Sequence, residues 1–97
     1  MAERRILKYH LPPVGYAGIA THGEPTPRSV GWQGRQLVAW MEVDTDLPAR
    51  IHGFEVVMTG DPVPTADHAT AEYIGTAQLV DADGEYVAHV YRWVPNG

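Results

Sequence analysis

"EYIGTAQLVDADGEYVAHVYRWV", residues 72–94, decides the fold. Two runs rich in β-branched and aromatic residues flank Asp81-Ala82-Asp83-Gly84, and an Asp-Gly step between such runs is a strong short-range hairpin signal, because glycine reaches positive φ without steric cost. In the second arm Val87, Tyr91 and Trp93 share one face, while Tyr86, Ala88, Val90 and Val94 share the other. A two-layer domain has one interior, so a strand apolar on both sides needs cover for its second face. Loop cover, self-association (a homodimer, for example) or a partner protein would each supply it.

The same alternation recurs upstream. "RRILKYHL" puts Leu7, Tyr9 and Leu11 on one face and Ile6, Lys8 and His10 on the other, and Pro12-Pro13 ends it, since proline donates no ladder hydrogen bond. Residues 14–27 hold three glycines and two prolines, which leaves room for a short strand near Gly18–His22. "RSVGWQ" and "RQLVAWMEV" read as a hairpin turning at Gly34, with Leu37, Ala39, Met41 and Val43 on one face of the second arm and Val38, Trp40 and Glu42 on the other. "RIHGFEVVMTG" aligns His52, Phe54, Val56 and Met58, with Gly53 a candidate bulge. In "TGDPVPTADHATAE", Pro62 and Pro64 stiffen a connector, and Thr65 is placed to cap one marginal helical turn. Nothing has βαβ spacing. The expected fold is all-β: a small antiparallel β-sandwich or barrel of six to seven short strands, in one domain over 1–97.

Composition narrows the function. With 7 basic and 12 acidic residues the formal charge is −5, which repels phosphate backbones and anionic headgroups, so neither nucleic acid nor membrane is an expected partner. The absence of cysteine removes disulfides and thiolate chemistry. The longest apolar run, "LVAWM" at 37–41, is far short of the ~20 residues of a membrane helix. No signal peptide is recognised, and a cytoplasmic location is expected.

Motifs for catalysis are missing. The histidines at 10, 22, 52, 68 and 89 never fall at His-x-x-x-His spacing; His10 and His89 would meet only if the terminal strands paired. Asp44 and Asp46 match only the opening of a calcium loop, and Asp81 and Asp83 serve the hairpin turn. Ser29, the one serine, sits in no nucleophile elbow. The expectation is no enzyme, no cofactor and no metal.

The segments "ILKYHLP", "LVAWMEVDTD", "FEVVMTGDPVP", "EYIGTAQL" and "YVAHVY", in that order, resemble an uncharacterised family of small proteins from actinobacteriophages and their hosts. The resemblance spans about Arg5 to Tyr91 and implies no activity. Members typically read Gly-Thr-Gly-His-Pro-Ile-Pro where this chain has "MTGDPVP", so Met58 replaces the first glycine and Asp61 the histidine; His10 stands where they tend to have proline, and His89 matches their His-Val-aromatic ending. The expected function is that of a non-enzymatic phage or prophage accessory protein acting by protein–protein contact in the host cytoplasm, with Trp40, Tyr91 and Trp93 as anchors, because Trp and Tyr dominate interface energetics. A virion-associated structural or decoration protein is the alternative.

Overall fold

Proline and glycine punctuation divides the chain into seven strands, described over residues 3–96 in a computed structural model: β1 Arg4–Leu11, β2 Gly15–His22, β3 Thr26–Gln33, β4 Gln36–Asp44, β5 Ala49–Met58, β6 Ala69–Asp81 and β7 Gly84–Pro95. They form two antiparallel sheets, one ordered β1-β4-β3 and the other β2-β5-β7-β6. The all-β sandwich expected from the alternation is what the chain adopts. Gly34 and Gly84 take positive φ (60° and 133°) at the two hairpin turns, as the sequence requires.

The core lies between the sheets. Leu37, Ala39 and Met41 of β4 and Leu11 of β1 face Phe54 and Val56 of β5, Ala88 and Val90 of β7 and Ala77 of β6. The faces read from the alternation in β1, β4, β5 and β7 are the faces observed.

Four local readings differ. β2 is a full eight-residue strand from Gly15, paired along its length with β5, because a neighbouring ladder outweighs loop-like composition. Gly53 is no bulge; it pairs in register with Gly18, and the bulges fall between Pro27 and Ser29 in β3 and between Tyr73 and Gly75 in β6. Residues 65–68 form no helical turn before β6 begins. The terminal strands β1 and β7 lie in different sheets, so His10 and His89 do not meet.

β3 and β6 seal one side of the sandwich. The Trp32 indole donates to the Ala77 carbonyl at 3.1 Å, and a Val30 methyl carbon sits 2.6 Å from where a Cβ on Gly75 would be. Ala77 is buried, so removing that donor leaves a carbonyl without water or partner. Trp32→Phe is therefore expected to cost about 1–3 kcal/mol. A fall in the urea midpoint at unchanged m would show it.

The segment 59–68 behaves as a strap. Met58 pairs with Ala88 and Ala69 with Pro95, so the chain re-enters the sheet seven residues further along β7, roughly 23 Å at 3.3 Å per residue. It also passes from one flank of β7 to the other. A helix of ten residues would cover only about 15 Å, so the segment must run as open chain, and Pro62 and Pro64 hold their neighbours in the extended region.

Candidate functional site

The outer face of the four-stranded sheet carries the protein's exposed aromatic surface. Register places Tyr16, Glu55, Tyr91 and Tyr73 in one row across β2, β5, β7 and β6. Tyr73 and Tyr91 meet edge to face at 5.7 Å, a favoured aromatic geometry. Tyr16 is 62% exposed, Ile51 68% and Tyr73 56%, while Tyr91 and Trp93 are half-buried. None of the outward positions of this sheet holds lysine or arginine; Glu55 and Glu85 are its charges.

Two glycines flatten the centre of this face. A Cβ on Gly53 would lie 3.0 Å from Tyr16 Cε2 and 3.3 Å from Trp93 Cδ1, so both rings rest on bare backbone. Rings laid over strand glycines cover backbone that would otherwise weaken the sheet. The Trp93 indole then donates to Glu55 Oε1 at 3.3 Å, which ties the carboxylate to the aromatic group. Beside them the β5–β7 ladder stops at Phe54 opposite Arg92. Ala49–Gly53 pair only with β2, and Trp93–Pro95 only with β6. The split holds an open cleft of about 600 Å³, walled by Tyr16, Ile51, Gly53 and Trp93 and by Ala66 and His68 of the strap.

The floor of the cleft is polar and largely tied down. Arg92 points inward from β7, donates to the Pro25 carbonyl at 3.1 Å and pairs with Glu24, holding the β2–β3 loop against the sheet. Its Nε and the Nε2 of His52 are buried without a partner. Desolvation lowers the His52 pKa from its ordinary 6.5, with Gly23 backbone opposing and Arg50 reinforcing the shift. The folded state thus favours the neutral ring. The unfolded chain takes up the proton first as pH falls, so stability owed to neutral His52 is complete above about pH 6.5 and is lost below it. Wild type is expected to lose more stability than His52→Gln between about pH 7 and pH 5.5, read from urea midpoints at each pH.

His89 is satisfied at both ring nitrogens. Nε2 lies 2.8 Å from Thr59 Oγ1 and Nδ1 lies 2.9 Å from Thr76 Oγ1, which in turn meets the Tyr73 hydroxyl at 2.5 Å. This pins the start of the strap to β7 and β6. No carboxylate orients the ring, so it lacks the third member of a nucleophile–base relay.

The three residues expected as anchors do not share a face. Tyr91 and Trp93 stand together on the outer face of the four-stranded sheet, whereas Trp40 lies on the outside of the other sheet, with a ring carbon 3.3 Å from where a Gly31 Cβ would be. There the Lys8–Gln33 hydrogen bond, at 2.8 Å, crosses β4, and Arg4 and Arg28 both bind Glu42. The bond from Arg4, then that from Arg28, holds the Glu42 carboxyl below its ordinary range. These side chains cover the middle of that face and Val38 beneath is fully buried, while Ile6 stays 58% exposed. Tyr16, Ile51, Tyr73 and Glu55 were not singled out by sequence, because membership of a face needs strand order. Among the described residues no group of three or more His, Asp or Glu side chains is arranged for a metal, and there is no helix long and apolar enough to cross a membrane.

Fold and site define a small two-sheet sandwich with one aromatic, acidic outer face. The chain belongs to the family described as a domain of unknown function (DUF7352), whose model matches residues 2–96. No curated protein and no solved structure matches it.

Proposed function

We propose that the protein is a non-catalytic binding module whose outer face on the four-stranded sheet docks a protein partner, and that it serves as an accessory protein of a phage or prophage in the host cytoplasm. The observation that carries the binding reading is the gathering of Tyr16, Ile51, Tyr73, Tyr91 and Trp93 on one solvent-facing surface, whereas the opposite face exposes one large apolar side chain, Ile6, among ion-paired and hydrogen-bonded polar groups. Aromatic residues that stay partly exposed on a rigid sheet cost little entropy to order on contact, which suits them as anchors. The phage setting rests on the resemblance of the quoted segments.

Affinity capture from host lysate compares wild type with Trp93→Asp and Tyr73→Asp. The expected result is a defined partner retained by wild type and weakened about thirtyfold or more by either substitution, the effect of losing an interface hot spot. Equal capture by both variants, with near-ultraviolet circular dichroism showing intact packing, would remove this face from the function.

A further inference from the structure

We infer that the Tyr16–Glu55–Trp93 cluster is a seat for an arginine side chain presented by a partner protein. This rests on the reading of the outer face as an interaction surface and names the chemistry it recognises.

Three observations point to a cation. Glu55 is flanked in register by Tyr16 and Tyr91 and takes the Trp93 indole hydrogen on one oxygen, which leaves acceptor capacity on the carboxylate. The six ion pairs of the described residues occupy Arg4, Arg5, Arg28, Arg35 and Arg92, and none of them reaches Glu55. No outward position of this sheet carries lysine or arginine; Arg50 and Arg92 line the adjoining cleft from inward positions and neither forms an ion pair with Glu55, so the carboxylate among aromatic rings has no direct counter-charge.

Chemistry then selects arginine. Its guanidinium is planar and weakly hydrated, stacks on aromatic faces and offers a donor fork that fits a carboxylate; lysine's ammonium is a strongly hydrated point charge. The glycines set the rings that would receive it. A Cβ on Gly53 would lie 3.0 Å from the Tyr16 ring and 3.3 Å from Trp93 Cδ1, so it is the bare backbone that lets both rings settle beside Glu55.

A second copy of this chain is the poorer occupant. A two-fold contact through this face would gather four carboxylates, Glu55 and Glu85 from each copy, against at most the two Arg50 guanidinia that no ion pair engages. The cations on the opposite face are engaged, Arg4 and Arg28 by Glu42 and Lys8 by Gln33.

The test titrates the ¹⁵N-labelled protein with three capped peptides alternating glycine with arginine, lysine or glutamate. The expected result is that the arginine peptide shifts the Trp93 indole and the Tyr16, Gly53 and Glu55 amides, binds more tightly than the lysine peptide, and loses about tenfold or more in affinity with Glu55→Gln, which keeps the indole acceptor but removes the charge. The glutamate peptide should not bind. Equal binding of the arginine peptide by Glu55→Gln, shifts confined to other residues, or binding by none of the three overturns the assignment. Sedimentation equilibrium showing dimers abolished by Glu55→Gln would overturn it in favour of a second copy. If the arginine peptide fails while Trp93→Asp still loses the captured partner, only the arginine assignment falls and the docking face stands.

Discussion

Replacing Phe54 with alanine is expected to lower the unfolding free energy by about 3–5 kcal/mol, the cost of losing a buried aromatic ring and leaving a cavity. Phe54 is the only phenylalanine and is fully buried. It stands in the middle of β5, between Ala17 of β2 and Arg92 of β7, facing the Leu11, Leu37 and Met41 layer. Neither small Ala17 nor tethered Arg92 can collapse into the space. Set against a typical stability of about 5–15 kcal/mol, the change removes a large share of the margin. Urea unfolding measures it, with Ile51→Ala as the comparison. Ile51 lies on the same strand but is 68% exposed, so its truncation should stay within about 0.5 kcal/mol. Similar losses from the two variants would mean the core is not where β5 places it.

The second large effect is expected at Gly75, where a single added methyl has nowhere to go. Its Cβ would fall 2.6 Å from Val30 Cγ2, and valine is stiff about χ1, so the methyl cannot simply rotate aside. Gly75→Ala should therefore destabilise by about 1–3 kcal/mol, the usual range for overpacking. Val30→Ala in the same chain makes room. The pair should show a coupling of about 1 kcal/mol or more in a double-mutant cycle. Strict additivity would place β3 and β6 apart and leave the sandwich unsealed on that side.

How much of this could be read from sequence follows from what period-2 alternation encodes. Alternation assigns each residue to one of two sides of its own strand, and that assignment agrees with burial for Phe54 to Met58 and Val87 to Trp93, and for Leu37 to Val43 except at Val38, which is buried on the outer face. It does not say which sheet a strand joins. Trp40 and Trp93 look equivalent as outward aromatics, yet β4 and β7 belong to opposite layers, so the two rings look away from each other. Tyr16 was hidden for another reason. Its strand begins among glycines and prolines that read as loop, and only the pairing of Gly18 with Gly53 shows why those glycines belong in a sheet. The Glu55–Trp93 link was equally out of reach, because it joins residues 38 positions apart across a register that no local pattern fixes.

The order of strands in the larger sheet also constrains the history of each molecule. β7 is the last of the seven to leave the ribosome, but it occupies the gap between β5 and β6. Until residues 84–95 have emerged, the two strands on either side of that gap have no common neighbour, and the core lacks Ala88 and Val90. Assembly of this layer therefore cannot keep pace with translation. It waits for the final ribbon to slot into the middle, and a message cut short before that ribbon yields a nascent chain with two bare flanks ready to pair with the wrong molecule.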